Sequence, residues 1–144
     1  KTLPPQTRRD FALRAAELCR KHGALCLIND DEKLAARADG LHLSAEKLRQ
    51  CRARPDFPWV GASCHTTAEI ARAADLDLDF ALLSPVCQTK THPGAPPLGW
   101  QKFSETAKTA SIPIYALGGM REEDAATAQT NHGCGAALMR LAWE

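Results

Sequence analysis

Short apolar runs alternate along this chain with helix-length amphipathic segments, and each run ends in polar residues or glycine. The run ALCLI (24–28) is apolar throughout and leads directly into Asn29-Asp30-Asp31, the pattern of a strand buried on both faces that ends in a turn. The same pattern predicts strands at 41–43 (LHL), 59–62 (WVGA), 80–83 (FALL), 114–117 (IYAL) and 136–139 (AALM). Between them the spacing predicts helices over 32–38, 45–52, 67–74, 100–109 and 121–131. Thr66 and Glu69 form a capping box before the third, and Gly133 closes the last. Ahead of the first strand, a helix opens after Pro4-Pro5 on a Thr7-x-x-Asp10 start. It carries Phe11, Ala15, Leu18, Cys19 and His22 at helical spacing and ends at Gly23.

Six strands alternating with helices imply a parallel α/β fold, and the crossover rule leaves an open doubly wound sheet or a barrel. In both, the polar run ends share the face where ligands bind. A full eight-stranded barrel takes roughly 200 residues or more. Six strands in 144 residues therefore correspond to a barrel without two of its units. The chain starts at Lys1, without a methionine and directly on a helix, which reads as a piece of something longer.

Composition narrows the function classes more than the fold. An apolar content of 44% over 144 residues is enough for the core of one domain. The 18 basic and 17 acidic residues are interspersed with no basic run, which argues against a nucleic-acid face or an anionic membrane surface. No apolar stretch reaches the roughly 18 residues of a membrane span and no signal peptide opens the chain, so a soluble cytoplasmic domain is expected. Cysteines 19, 26, 51, 64, 87 and 134 form no C-x-x-C pair and several fall in apolar patterns, so they read as reduced core thiols. Zinc would need clustered ligands. Only Cys64 and His65 are adjacent, and on a strand they point to opposite faces.

The candidate chemistry sits at the run ends. Residues 84–100, SPVCQTKTHPGAPPLGW, combine hydroxyls, cations, prolines and glycines before the next helix, the composition of a binding loop. Gly118-Gly119 supplies free amides and close backbone approach for a phosphate, or a tight turn with a helix cap, and the two readings are compatible. Asn29-Asp30-Asp31, without further information, reads as a turn that caps the next helix.

Six segments in order, LINDD (27–31), ADGLHLSAEKL (38–48), VGASCHT (60–66), LLSPVCQTKTHPGAPPLGW (82–100), IPIYALGG (112–119) and HGCGAALMR (132–140), resemble the thiamine phosphate synthase and thiazole tautomerase family. These are TIM-type (β/α)8 barrels, and the resemblance covers nearly the whole chain. It is strongest to the synthase-like domain that follows a Nudix hydrolase domain in some bacterial fusions. The resemblance implies that the chain starts after the family's second strand, whose glutamine, arginine and lysine bind the pyrimidine and its diphosphate. A homo-oligomer partner, a swapped segment or a missing N-terminal part would then cover the two open strand edges, and a Nudix domain in the same parent chain is a further partner the resemblance implies.

The implied reaction joins hydroxymethylpyrimidine diphosphate to a thiazole phosphate, giving thiamine phosphate and diphosphate. Mg2+ and cations would neutralise the leaving diphosphate. Carried over by motif, Asp30 is the expected metal ligand and Asn29 a diphosphate donor. Ser63 stands beside the reacting groups, and His65 contacts ligand or braces the loop. Thr89 and Thr91 match the threonines that hold the thiazole phosphate, together with Gly118, Gly119 and the Met139 amide.

Three positions depart from the family. Lys47 stands where the family has its second metal aspartate, and an ammonium cannot ligate magnesium. Glu46 reaching in, Lys47 acting as a fixed cation, and a plain surface helix start are the alternatives there. His92 replaces a lysine, which leaves Lys90 to swing in or face solvent. Arg140 replaces a serine of the phosphate cup, where it adds a cation or fills the cup. A phosphate-ligand-binding domain that has lost turnover is the competing function. The tautomerase is the lesser one, because its catalytic histidine falls at Pro85.

Overall fold

In the computed structural model, residues 3–89 and 96–139 are described. Helix α1 (Pro5–Lys21) precedes six strands alternating with five helices: β1 (Leu27–Asn29), α2 (Glu32–Ala35), β2 (Gly40–Leu43), α3 (Ala45–Gln50), β3 (Trp59–Cys64), α4 (Thr67–Asp75), β4 (Phe80–Leu83), α5 (Gly99–Thr109), β5 (Ile114–Leu117), α6 (Asp124–Thr130) and β6 (Gly135–Ala137). All five pairings are parallel and the strand order is β1-β2-β3-β4-β5-β6. That order removes the doubly wound alternative. An open doubly wound sheet reverses direction at a switch point, whereas here every connection adds the next strand on the same side, as a TIM-type barrel does. Among the described residues, no strand pairs with the outer edge of β1 or β6. No described helix is long and apolar enough to cross a membrane.

The period-two alternation of each strand sorts its residues onto two faces. Leu41, Leu43, Val60, Ala62, Cys64, Ala81, Leu83, Ile114 and Ala116 are buried in one core with Leu48, Ile70, Ala73, Phe103, Ala107 and Ala128 of the helices. The opposite face carries His42, Ser63, Phe80, Leu82 and Tyr115, each only half-buried. There Phe80 lies 6.0 Å from the His42 ring and 5.9 Å, edge-on, from Tyr115. Gly61 makes room for this cluster, because a Cβ would stand 2.3 Å from the Phe80 ring.

Two aspartates fix the register at the other end of the sheet. Asp39, just before β2, accepts the Cys26 amide on its carboxylate at 2.8 Å and donates its own amide to the Cys26 carbonyl at 3.0 Å. Asp79, just before β4, treats Val60 in the same way at 2.6 and 2.9 Å, and also holds Arg54 at 2.8 Å.

Several boundaries move from the sequence expectation. Residues 24 and 25 stay outside β1, with Leu25 53% exposed, because the strand begins only after the Asp39 clamp. The first helix starts on Pro5, with no side-chain cap at Pro4, so Thr7 lies inside it rather than opening it. Proline at the first helical position lacks only an amide hydrogen that has no partner there anyway. The last helix begins at Asp124, after a turn in which Asp124 accepts the Arg121 amide, and ends at Thr130; the left-handed residue just past it is His132, at φ 65°, not Gly133. Gly133 is instead small because Phe103 packs on it, leaving 2.7 Å for any Cβ. The last strand ends at Ala137, so 138–139 continue beyond it. All six cysteines are free thiols, yet only Cys64 belongs to the fully buried core, and Cys134 is exposed.

Candidate functional site

The polar run ends meet at the C-terminal ends of the strands. Asn29 closes β1, and Asp30 follows in the left-handed region at φ 56°. One Asp30 carboxylate oxygen accepts the Ser44 amide at 2.7 Å and the other accepts the Asn29 side-chain amide at 3.0 Å. The Asp30 backbone amide donates to the His42 carbonyl at 2.9 Å. Asp31 performs the turn-and-cap role: its side chain accepts the Leu34 amide at 3.1 Å and caps α2. Arg8 of α1 braces the segment from outside, donating to the Asn29 carbonyl at 2.8 Å and pairing with Asp31 at 3.3 Å.

His42 is the residue that motif reasoning passed over. Its ring Nε2 shares a 2.9 Å hydrogen bond with the Ser63 hydroxyl, while its carbonyl holds Asp30. Burial depresses the His42 pKa below the ordinary histidine value, and the nearby Asp30 charge only partly offsets this, so the ring is neutral at pH 7. A neutral imidazole offers one donor and one acceptor, enough to fix the direction of the serine hydroxyl. The clue was readable in LHL: with Leu41 and Leu43 facing the helices, the central histidine faces the other side of the sheet.

His65 braces the loop after β3. Its Nδ1 is 2.9 Å from the Ser84 carbonyl and 3.3 Å from the Ser84 hydroxyl, and its amide donates to Glu69 at 2.7 Å. Glu69 completes the capping box with Thr66 and meets Arg49 at 2.5 Å. Burial acts to raise the Glu69 pKa, but the His65 amide and Arg49 outweigh it and hold the carboxyl below its ordinary value. Cys64, on the helix side of the same strand, has its thiol pushed up to about 12 by burial, with Glu69 adding to the effect.

At the ends of β4 and β5, the amides of Val86 and Cys87 donate to the carbonyls of Leu117 and Gly118 at 2.9 and 3.0 Å, stitching the loop after β4 to the loop after β5. Gly118 and Gly119 have φ 96° and 68°, and a Cβ at Gly119 would stand 2.6 Å from the Gln88 carbonyl oxygen. The pair therefore makes a tight turn against the neighbouring loop. The long loop is pinned at both feet, since Leu98 and Gly99 donate back to the carbonyls of Pro85 and Val86 at 2.8 and 2.9 Å. Thr89 is half-buried, and Met139 is 56% exposed just past β6. Lys90, Thr91, His92 and Arg140 lie outside the described residues.

Asn29, Asp30, His42 and Ser63 thus form one hydrogen-bonded group, and Gly118-Gly119 a second. Ser63 is level with Leu82 and Tyr115 across the ladder, so β5 is two strand spacings away, roughly 10 Å. Ser44 caps α3, and Glu46 accepts from Gln50 along its own helix at 3.4 Å, with Glu46 and Lys47 both exposed. The surface helix start is therefore the arrangement adopted at 44–48. Among the described residues, no three histidine, cysteine or acidic side chains gather as a metal site. Asp30 retains a lone pair on each oxygen, which suits one carboxylate anchoring a magnesium ion otherwise held by water and substrate phosphates.

Fold and site together define a β/α-barrel domain with polar groups converging at the strand ends. The thiamine monophosphate synthase family matches residues 1–141, and the chain belongs to that family. A putative thiamine-phosphate synthase 2 from Aquifex aeolicus is 37% identical over 118 residues, covering 78% of this chain and 63% of that protein. The thiamine-phosphate synthase of Thioalkalivibrio sulfidiphilus is 35% identical over 130 residues, covering 86% of this chain and 61% of the relative. The chain thus spans under two thirds of the length of these curated relatives. Among solved structures, thiamine phosphate pyrophosphorylase from Pyrococcus furiosus superposes with a TM-score of 0.77 at 20% identity, over 96% of this chain and 68% of that one, which shows the shared fold.

Proposed function

We propose that this chain contributes the strand-end site of a thiamine phosphate synthase, joining a pyrimidine diphosphate to a thiazole phosphate with release of diphosphate. The observation that carries the reading is the linked group Asn29, Asp30, His42 and Ser63, at the ends of adjacent strands in a member of this family. In this reading the neutral His42 ring holds the Ser63 hydroxyl toward the reacting carbon, and the Asn29 side chain orients diphosphate oxygens. The turn at Gly118-Gly119, with Thr89, Thr91 and the Met139 amide, receives the thiazole phosphate. A bound magnesium ion would neutralise diphosphate charge, with Asp30 as its protein ligand. His92 and Arg140 would supply cationic charge to the phosphorylated ligands.

The second reading, a phosphate-ligand-binding domain without turnover, is favoured by one observation: Glu46 accepts from Gln50 along α3 and so does not join Asp30 as a second carboxylate. Assaying the full chain for magnesium-dependent thiamine phosphate formation from the two precursors separates the two. Product that is lost in Asp30→Ala supports the synthase. No product from folded protein that still binds thiazole phosphate supports the binding domain. Lys47→Asp should tighten magnesium binding about tenfold or more if a second carboxylate reaches the ion, and unchanged binding would place residue 47 outside the site.

A further inference from the structure

A cleft of about 480 Å³ opens between the N-terminal half of α1 and the segment of α2 and the turn after it, beside the Asn29-Asp30-Asp31 turn. Arg8, Arg9, Lys33 and Arg37 line it and one carboxylate, Asp31, faces them, over an apolar floor that includes Leu13 and Leu34. Arg8 is occupied, by Asp31 and the Asn29 carbonyl. Arg9, Lys33 and Arg37 make no ion pair among the described residues. Asp10, on the same helix, does not line the cleft and is engaged by Gln6 at 3.0 Å. Cations from two separate elements thus converge on one concavity with little compensation, in a chain whose overall charge is only +1. Such a cleft focuses positive potential on a volume that suits a small ligand.

We propose that this α1–α2 cleft is a second anion site, separate from the strand-end site, and that it takes a small phosphate ester with an apolar body. Guanidinium groups of Arg9 and Arg37 would grip the phosphate oxygens bidentately, with Lys33 as a point charge, while the ester's carbon body lies on Leu13 and Leu34. Arg8 connects the cleft to the functional strand end. An anion that draws Arg8 from Asp31 also alters its hold on the Asn29 carbonyl, so occupancy is sensed by the Asn29-Asp30 turn.

The test is titration of the full chain with phenyl phosphate and, separately, inorganic phosphate, followed residue by residue through backbone amide shifts. The expected result is a saturable shift set at Arg9, Leu13, Lys33 and Arg37, tighter for phenyl phosphate and at least about tenfold weaker in Arg9→Gln/Arg37→Gln. Both substituted side chains are exposed, and unchanged shifts at Gly118 and Gly119 will show that the variant is folded. Shifts confined to Gly118-Gly119, or equal affinity in the double variant, would overturn the site. Equal affinity for the two probes would overturn the apolar body as part of the ligand.

Discussion

The two faces of the sheet are built for different work. On the helix side, Leu41, Val60, Ala62, Ala81 and Ala116 are wholly excluded from water and belong to one hydrophobic core. On the other side, at alternate positions of the same strands, His42, Ser63, Phe80 and Tyr115 remain half-exposed and carry the hydrogen bonds and ring contacts. Apolar burial stabilises roughly in proportion to area and needs no exact direction, whereas a polar group is useful only in one orientation. The lesson of the comparison is that stability and chemistry are separated here by a single residue step along each strand.

The largest effect should come from the helix side. Phe103→Ala removes the largest fully buried side chain and should cost about 3–5 kcal/mol in urea unfolding. Tyr115→Phe, on the opposite face, should cost less than about 1 kcal/mol, and comparable losses would erase the distinction between faces. Next, in the proposed synthase reading, His42→Leu should lower turnover about 100-fold by freeing the Ser63 hydroxyl, with His42→Gln restoring part of it and both variants folded. Equal activity in all three proteins would remove the histidine from the positioning role.

A smaller effect concerns Glu69. Its folded pKa lies below the ordinary 4.5, so its contribution is complete above that value and is lost as pH falls through the folded one. Urea midpoints measured between about pH 5 and 3 should therefore fall more steeply for the wild type than for Glu69→Gln, and parallel curves would contradict the assignment. The smallest perturbation is chemical: a thiol reagent at pH 7.5 should modify exposed Cys134 first and leave Cys64, buried and held near 12, unmodified until unfolding. Early labelling of Cys64 would show that the helix-side core opens.

Much of this was legible in the residues. Every predicted strand and helix exists, because apolar runs bounded by turn residues leave the chain few alternatives. The capping box at Thr66 and Glu69 formed as its spacing required. Strand order was not legible, since periodicity reports faces and not neighbours; the sequential pairing had to be seen. At the site, Asp31 as a cap followed from local rules, whereas His65 braces its loop through Ser84, 19 residues along the chain. The His42–Ser63 bond joins residues 21 apart in the chain and depends on the β2–β3 register, which no local pattern records. The same applies to Arg8, whose hold on Asn29 crosses from one element to another.

The paired aspartates at the far end of the sheet bear on how such a chain can change over time. Asp39 and Asp79 fasten β1 to β2 and β3 to β4 through backbone groups, so they set which residue lies beside which without reference to any side chain at the strand ends. A slip of one residue would exchange the two faces, and these clamps act as the zero mark from which every later position is counted. With the origin secured at one end, the other end is free to drift. A side chain such as that of Lys47 can be exchanged while the scaffold beneath keeps its count.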